Sequence, residues 1–519
     1  MRLWSVALVM AAFTGTAHAE VRPRLIVQMT FDQLRGDLLQ RYNPAFTGGF
    51  RRVLDQGWWV ENGEAAHGIT VSWPGHTTLA SGLYPSRHGL TANEWWVEVG
   101  DRWQEVDATS DPAFREIGRD DRPGKTLANL TGTTIGDWFK AYSPQSKVIA
   151  IGSEAAVPYA GHRPDGLFWF DGRAGGFTTS TNYAASLPDW IGQLNARIGA
   201  LGNEWTLSVP PRWSALASHP RRCPPFRPER PFPHRFEVGP NSRPTAHLEW
   251  VGSTPLAEEE LLRNAGEIVS ANHLGEDDVP DYLNITVGST DEIGHEFGPV
   301  SVEQLDTVLR LDRALGKFLD DLDRTVGRGR YVIGISADHG ATDPPEQQCI
   351  HRVTSAEIDA LLDRVEKIAR NYRGSRASLV AAMVAELRRA PFIGEVYTED
   401  ALSRARPGDW KAQLMRRSFR AGRIPNFPLW SDKPREFHPA RYGIWVIFKE
   451  GMIFDYARSV HGSPYAYDRL VPVIFYGAGV PSRRLKDGGR TVDVAPTLAA
   501  LAGIPRPENL DGSPLLAGP

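Results

Sequence analysis

Short apolar runs alternate with amphipathic segments along most of the chain. Runs typical of strands buried on both faces occur at 25–29, 147–151, 282–287, 331–335 and 471–476. Apolar residues recur with helical spacing at 49–56, 133–142, 254–272, 302–326 and 491–502. We also expect an aromatic strand at 58–60 and a hairpin at 167–177. The alternation predicts an α/β fold with a doubly wound, mostly parallel sheet.

Two segments depart from this alternation. The segment 181–250 is rich in loop-forming residues, and the segment 352–450 carries two Ala- and Arg-rich helical stretches followed by residues rich in Trp, Pro and Phe. We interpret both as cap insertions in one large domain, 20–519. A single domain is favoured because the chemically suggestive residues are scattered from Asp32 to His461 and have to converge.

The first residues have the pattern of a secretory signal peptide. Arg2 precedes the apolar run 3–13, and Ala17-His18-Ala19 forms a small-x-small cleavage pattern before Glu20. The run is too short to span a bilayer, and no later stretch approaches the ~20 apolar residues that a spanning helix needs. We therefore expect residues 1–19 to be removed and the mature protein to be soluble and either periplasmic or secreted.

Net charge limits the classes of binding partner, and the two cysteines raise the question of a disulfide. The formal net charge is −4 with both signs interleaved, so neither a nucleic-acid duplex nor an anionic membrane surface is indicated. The two cysteines, Cys223 and Cys349, both lie in Pro-rich loops. In an oxidising compartment they could form one disulfide, although the sequence does not show whether they approach each other. Nothing in the pattern indicates an oligomeric state.

The stretch 67–95 contains a candidate for catalysis. Ser72 stands in a bend rich in Gly and Pro, just before a helical turn of small residues. A hydroxyl there can point away from the backbone, while the free N–H groups at the helix N-terminus favour an anionic substrate. A serine close to Pro-Gly is also a common N-cap or turn residue, so this window leaves both interpretations open.

Acidic and imidazole side chains follow several of the apolar runs. The candidates are Asp32, Asp291, His295, Asp338, His339 and His461. Asp, His and a hydroxyl are the ligands that a two-zinc hydrolytic site uses. Each His taken alone is more often a capped or core residue than a metal ligand. Several carboxylates at strand ends nevertheless indicate a compensating cation, because burying unpaired carboxylates is costly.

Five segments, in order, resemble the alkaline phosphatase superfamily. They are Asp32, the Ser72-x-Pro-Gly-His76 loop with a downstream Gly-Leu-Tyr-Pro-Ser-Arg-His-Gly, Asp291-x3-His295-x-Phe-Gly-Pro, Ala-Asp338-His339-Gly, and His461-Gly-Ser-Pro-Tyr465. The chain is most similar to the nucleotide pyrophosphatase/phosphodiesterases and to the periplasmic zinc alkaline phosphatases with a threonine nucleophile. The similarity runs from about Leu25 to Asp511 and so covers nearly the whole mature chain.

The resemblance implies a site and a reaction. Two zinc ligand sets are implied, one of Asp291, His295 and His461 and one of Asp32, Asp338, His339 and the hydroxyl of Ser72. Manganese, magnesium or calcium could replace zinc at one site. Ser72 would attack the phosphorus of a small phosphate ester to form a phosphoseryl intermediate, and Asn93 would bond a phosphoryl oxygen. His76 is not a family zinc ligand, and we expect a structural role for it.

Two departures from the family pattern bear on the substrate. Ser72 stands where both branches usually hold Thr, and it supplies the same alkoxide. The monoesterase branch carries a Lys-x-Arg pair that grips a phosphate dianion, and an ungapped match places Gly152 and Glu154 there. Losing two cations and gaining a carboxylate weakens binding of a dianionic monoester more than binding of a monoanionic diester. We therefore expect phosphodiesterase or nucleotide pyrophosphatase activity.

Three alternatives accompany that expectation. An alkaline phosphatase, acting on phosphomonoesters, would need another cation such as Arg458 or Arg163. A sulfatase is disfavoured because its motif needs Arg where this chain has His76. A non-catalytic binding protein on the same fold is disfavoured because a decayed site would rarely retain all seven ligands.

Overall fold

The computed structural model describes residues 22–100, 102–217, 223, 231–240, 242–425, 429, 437–454 and 457–518. The expected signal peptide, 1–19, lies outside these residues. The strands are β1 (Leu25–Phe31), β2 (Trp58–Glu64), β3 (Glu94–Val99), β4 (Arg102–Asp107), β5 (Ser110–Glu116), β6 (Arg119–Lys125), β7 (Val148–Gly152), β8 (Gly166–Asp171), β9 (Gly176–Thr178), β10 (Glu204–Trp205), β11 (His234–Arg235), β12 (Asp281–Val287), β13 (Tyr331–Ser336), β14 (Ile393–Thr398), β15 (Ile424–Pro425), β16 (Ile444–Phe448), β17 (Leu470–Gly477) and β18 (Arg483–Leu485).

Helices connect and cover these strands. They are α1 (Gly36–Tyr42), α2 (Gly49–Gln56), α3 (Ser72–Ser81), α4 (Pro85–His88), α5 (Ile135–Tyr142), α6 (Val157–Ala160), α7 (Asp189–Gly199), α8 (Ala246–Gly252), α9 (Leu256–Arg263), α10 (Ala265–Ala271), α11 (Ser289–Phe297), α12 (Val302–Leu322), α13 (Pro345–Gln348), α14 (Ser355–Asn371), α15 (Arg376–Leu387), α16 (Glu399–Ser403), α17 (Trp410–Ser418), α18 (Ala466–Arg469) and α19 (Val494–Leu501). Within the described ranges, none of these helices is both long and apolar enough to cross a membrane.

A nine-stranded sheet organises the chain, in the order β18-β2-β17-β13-β1-β12-β7-β8-β9. The central strands β13, β1, β12, β7 and β8 run parallel to their neighbours in this series. Among the described strands of this sheet, antiparallel pairing occurs towards its two ends, at β13–β17, β17–β2 and β8–β9, and β18 is again parallel to β2. The predicted α/β fold with a mostly parallel sheet is confirmed.

Both faces of the sheet are covered. Along β1, Leu25, Val27 and Met29 join one buried cluster with residues of α2, α9, α10 and α12. The intervening Ile26 joins a second cluster with residues of α3, α5, α6 and α19. Side chains alternate between the two faces of a strand, so a continuous apolar run supplies both cores. The sheet is therefore covered by helices on both faces, as in a doubly wound fold.

One predicted helix is wrong in detail. The segment 254–272 forms two helices, α9 and α10, separated at Asn264. Asn264 leaves the helical conformation (φ −109°, ψ 8°), and its side-chain amide donates to the carbonyl of Glu260 at 2.8 Å. A local side-chain bond to the backbone thus interrupts the helix that the apolar period predicts.

The two expected insertions differ in how they pack. In 352–450, the described residues of α14, α15, β14 and β16 form a hydrophobic cluster apart from both sheet cores. In 181–250, Ile191, Leu194 and Ile198 of α7 instead pack into the first sheet core. A disulfide joins Cys223 of this segment to Cys349 beyond β13, with a Cα–Cα distance of 5.3 Å.

The start of α2 is capped from another element. Asp312 of α12 is 1% exposed and accepts hydrogen bonds from the backbone N–H groups of Thr47, Gly48 and Phe50, each at 2.8 Å. The first N–H groups of a helix have no partner within the helix. A single carboxylate therefore satisfies three donors and fixes α2 against α12.

Replacement of that carboxylate tests its contribution to stability. Asp312→Ala leaves three backbone donors unsatisfied, so we expect the free energy of unfolding to fall by about 3 kcal/mol. Asp320→Ala is the control, because Asp320 lies on the same helix with its side chain 77% exposed and should change stability by less than about 0.5 kcal/mol. Urea unfolding followed by circular dichroism measures both, and equal effects would contradict the capping role.

Candidate metal centre

The candidate ligands converge at one edge of the sheet. Asp32 directly follows β1, Asp291 lies in the first turn of α11 after β12, and Asp338-His339 follows β13. The carboxyl ends of parallel strands meet at the same edge, where α/β folds place their ligand sites. Two groups form there, Asp291 with His295 and His461, and Asp32 with Asp338 and His339. In each group the ligand atoms lie within 4.8 Å of one another.

The first group is built around imidazole Nε2 atoms. His295 Nε2 lies 3.3 Å from Asp291 Oδ1, and His461 Nε2 lies 3.2 Å from His295 Nε2 and 3.5 Å from Asp291 Oδ1. The Nδ1 atoms of the two histidines face backbone carbonyls, of Ser459 at 2.7 Å and of Thr70 at 2.8 Å. Those carbonyls accept the Nδ1 proton and leave Nε2 as the ligand atom, an orientation common in metal sites.

The second group is fully enclosed. His339 Nε2 lies 3.1 Å from Asp338 Oδ2 and 3.4 Å from Asp32 Oδ1, and its Nδ1 faces the carbonyl of Gly340 at 3.0 Å. Among the described residues, these three converging atoms are buried without a hydrogen-bond partner. Buried polar atoms are normally paired. Three unpaired ligand atoms facing one another therefore fit a bound cation.

Burial governs protonation in the second group. Burial and the charge of Asp291 raise the pKa of Asp32, and burial and Asp32 raise the pKa of Asp338. Burial and His461 lower the pKa of His339. The two carboxyl groups resist ionisation because burial disfavours their charged form, and the neighbouring imidazole is neutral. A divalent cation would supply the positive charge that stabilises the ionised form.

In the first group, the pKa values of Asp291 and His295 shift in the direction that attraction within an ion pair favours, against the effect of burial. Although burial opposes both charges, attraction between Asp291 and His295 lowers the pKa of Asp291 and raises the pKa of His295 to about 9. Burial and the neighbouring His295 lower the pKa of His461 to about 4. The proton on His295 thus occupies the place that a metal cation would take, because a ligating imidazole must be neutral.

His76 supports the second group from outside. Its Nε2 lies 3.3 Å from Asp32 Oδ2 and 3.3 Å from Asp338 Oδ2. Its Nδ1 lies 3.0 Å from the hydroxyl of Tyr159, which accepts from Thr30 at 2.9 Å. His76 therefore bridges the two carboxylates and orients them, which agrees with the structural role expected for it.

Ser72 is the first residue of α3, after an extended Val71 without a side-chain cap. The helix is pressed against the second group, since a Cβ added at Gly75 would lie 2.7 Å from Asp338 Cβ. The N–H of Trp73 donates to Asn93 Oδ1 at 3.1 Å. This bond orients the Asn93 amide so that Nδ2 can donate to a ligand near Ser72.

A cavity of about 370 Å³ has Ser72, Asn93, Asp32 and Asp291 in its wall. The apolar residues of the wall include Phe170 and Phe177, and the remaining lining residues are Trp73, Ser153, Glu154, Ala155, Gly252, Ala257, Glu258, Gly288, Ser289 and Glu292. The volume exceeds that of a phosphate group, so the cavity has room for an ester substituent.

Of the charged residues considered from the sequence, Glu154 lies at this cavity, and the two arginines named for the phosphomonoesterase alternative do not. Glu154 lines it, whereas Arg163 and Arg458 are not among the described residues that do. Glu154 is held by Arg122 and by Lys125, whose Nζ lies 2.8 Å from Oε2. Sequence reasoning missed both cations, because they lie in a hairpin about thirty positions earlier and no local pattern connects them to Glu154.

Gln33 was also missed. Its side-chain amide nitrogen contacts Asp291 Oδ1, and its backbone N–H donates to Asp338 Oδ1 at 3.2 Å. The residue adopts a left-handed conformation (φ 60°) directly after Asp32. It thereby links the two groups, and only its position beside Asp32 could have indicated this.

Comparison with known proteins places this geometry in a family. The profile of the type I phosphodiesterase/nucleotide pyrophosphatase family matches residues 26–426. The alkaline phosphatase PafA of Elizabethkingia meningoseptica is 29% identical over 98% of this chain and 97% of its own length. The alkaline phosphatase PhoV of Synechococcus elongatus is 27% identical over 95% of this chain and 92% of its own length.

Solved structures agree with these matches. A crystal structure of PafA has a TM-score of 0.81 at 26% identity, covering 95% of this chain and 98% of its own. Murine ectonucleotide pyrophosphatase/phosphodiesterase 5 shares the fold, with a TM-score of 0.52 at 13% identity over 93% of this chain and 96% of its own. The sulfatase and non-catalytic interpretations are therefore not retained. The chain belongs to the type I phosphodiesterase/nucleotide pyrophosphatase family of the alkaline phosphatase superfamily, and it is a metal-dependent phosphoric ester hydrolase.

Proposed function

We propose that the chain is an exported two-zinc hydrolase that cleaves phosphodiesters through a phosphoseryl intermediate on Ser72. The observation that carries the proposal is the set of converging, unpartnered ligand atoms of Asp32, Asp338 and His339 beside a cavity that also contains Ser72. Export is supported by the signal-peptide pattern of residues 1–19.

Each ligand group would hold one metal ion. Asp291, His295 and His461 offer one carboxylate and two imidazoles, and the second group offers two carboxylates and one imidazole. These donor sets suit zinc, and the carboxylate-rich second group also suits manganese, magnesium or calcium. When bound, such ions act as Lewis acids that activate a hydroxyl and stabilise the charge that develops during phosphoryl transfer.

The protein's own groups account for nucleophilic attack and orientation. The Ser72 hydroxyl gives up its proton to solvent as its Oγ forms a bond to phosphorus, and the bond from phosphorus to the departing ester oxygen breaks, with that oxygen taking up a proton from solvent. Water then hydrolyses the phosphoserine, which restores the Ser72 hydroxyl and releases a phosphomonoester from a diester substrate. The Asn93 amide, held by Trp73 N–H, donates to a non-bridging oxygen, and the N-terminus of α3 favours the negative charge of the phosphoryl group.

Phosphodiesters are favoured by the charge of the cavity. Glu154 lines it and Gly152 contributes no cation, so a dianionic monoester is bound less favourably than a monoanionic diester. Alkaline phosphatase activity is the second candidate, because PafA and PhoV, which match over more than 90% of their own lengths, bear that name.

Replacing the proposed nucleophile should lower turnover without lowering the metal content. We expect Ser72→Ala to lower turnover of an aryl phosphate ester by about 1,000-fold or more, while the metal content stays close to that of the unaltered protein. Ser482→Ala, at an exposed position, serves as the matched control and should retain full turnover. Undiminished activity in Ser72→Ala would exclude Ser72 as the nucleophile.

Metal content can be assigned group by group. Elemental analysis of the zinc-loaded protein should give about two ions per chain. Asp338→Asn and His461→Ala should each lower this to about one, because each removes one of three protein ligands from one group. His273→Ala removes an exposed imidazole and should leave the content unchanged. Loss of both ions in His461→Ala alone would show that the groups do not bind independently.

Substrate preference distinguishes the two candidate functions. An aryl phosphomonoester and its methyl diester share a leaving group but differ by one charge, so their kcat/KM values isolate the effect of that charge. We expect the diester to be hydrolysed with the higher kcat/KM, since Glu154 lies in the cavity wall. A kcat/KM that is about 100-fold higher for the monoester would instead assign the protein as an alkaline phosphatase.

A further inference from the structure

The position of Gly152 cannot carry a cation. Gly152 ends β7 with φ 145°, a conformation that residues with a side chain rarely adopt. A Cβ added there would lie 1.9 Å from the carbonyl oxygen of Thr286, its register partner on β12. The backbone of the neighbouring strand therefore excludes every side chain at 152, and positive charge for this side of the cavity has to come from elsewhere.

Glu154 would repel a phosphate group if it were uncompensated. Its side chain is 30% exposed and lines the cavity that contains Ser72. Both carboxylate oxygens are engaged by cations of β6, Oε1 by Arg122 and Oε2 by Lys125. The hairpin of β5 and β6 thus places two cations against the carboxylate at position 154, one of the two positions that the ungapped match pairs with the family's strand-end cations.

The two cations are not equivalent. Arg122 is 33% exposed and also pairs with Asp171 at 3.1 Å and with Glu116 at 3.5 Å. Lys125 is only 4% exposed, and its Nζ lies 2.8 Å from Glu154 and 5.3 Å from the ring centre of Trp73. The charge of Arg122 is shared with other carboxylates and screened by water. Lys125 is therefore the less exposed of the two cations that compensate Glu154, and its charge is the less screened by water.

Lys125 contacts two residues of the cavity wall, Glu154 and Trp73. Trp73, beneath its ammonium group, directly follows Ser72 in sequence, and the Trp73 N–H holds Asn93. In a partly buried site a charge acts over several ångströms with little screening. The ion pair of Lys125 and Glu154 thus lies beside the groups proposed to hold the phosphoryl oxygens.

We propose that Lys125 is a specificity-determining residue, because it compensates the charge of Glu154 in the wall of the phosphoryl cavity. The inference rests on the proposed phosphoryl transfer at Ser72. The pair is neutral, whereas a Lys-x-Arg pair carries two positive charges. Compared with two cations, a neutral pair attracts a doubly charged monoester much less strongly. The loss for a singly charged phosphodiester is smaller, so the preference shifts towards the diester.

Opposite charge changes should shift the preference in opposite directions. Glu154→Gln leaves the ammonium group of Lys125 unmatched and should raise the monoester-to-diester ratio of kcat/KM about 10-fold. Lys125→Met leaves the carboxylate of Glu154 less compensated and should lower the ratio about 10-fold. The double variant removes both charges, and its ratio should return to within about 3-fold of the unaltered protein.

Several features keep the comparison independent of folding. The ratio is unaffected by the fraction of active protein, because both kcat/KM values scale with it. Lys125→Arg retains the charge and should retain the ratio. Lys367→Met and Glu267→Gln make the same chemical changes at exposed sites and should leave the ratio unchanged. Shifts in the same direction in both single variants, or no shift in either, would overturn the inference.

Phosphate binding separates this inference from the proposed function. Inorganic phosphate can be titrated into the zinc-loaded protein by isothermal titration calorimetry, without turnover. We expect about 10-fold tighter binding in Glu154→Gln and about 10-fold weaker binding in Lys125→Met. If the unaltered protein hydrolysed neither ester, the proposed function would fail while this measurement still tested the inference. Unchanged phosphate affinity in both variants would refute the role of Lys125.

Discussion

Negative charge buried at one edge of the sheet is the constraint on which the rest of the structure depends. Asp32 is 5% exposed and Asp338 is fully buried, and the oxygens that face His339 make no hydrogen bond among the described residues. Buried carboxylates are tolerated only where a cation or several donors compensate them. His76 lies 3.3 Å from both carboxylates, and Gln33 and three backbone carbonyls orient the two groups, so the fold presents ligand atoms arranged to compensate a cation.

A second carboxylate in the cavity wall also has to be compensated by positive charge. There a carboxylate, Glu154, is compensated by side chains of a hairpin rather than by a metal. Charge is thus balanced differently around one cavity: the oxygens of Asp32 and Asp338 that face His339 have no hydrogen bond among the described residues, whereas Glu154 is paired with two cations. The carboxylates of Glu258 and Glu292 also lie in the cavity wall, so the charge that a phosphoryl group meets depends on how each of these carboxylates is compensated.

Sequence patterns predicted those features that depend on strand order and periodicity. Asp32 and Asp338 could be placed together because both follow apolar runs, and the carboxyl ends of parallel strands share an edge. The break at Asn264 could not be predicted, since it depends on a side-chain bond within a strongly periodic helix. The pairing of Lys125 with Glu154 was equally hidden, because it depends on how a hairpin with irregular register folds over the sheet. Contacts between distant segments have no local signature.

The disulfide between Cys223 and Cys349 encloses 126 positions of sequence, and this span contains Asp291, His295, Asp338 and His339. Its covalent closure removes conformations from the unfolded chain that would separate these segments. Disulfides form and persist in oxidising compartments. The thiol state of this one pair is therefore a chemical marker of the compartment in which a given molecule matured, and it can be measured without an assay of catalysis.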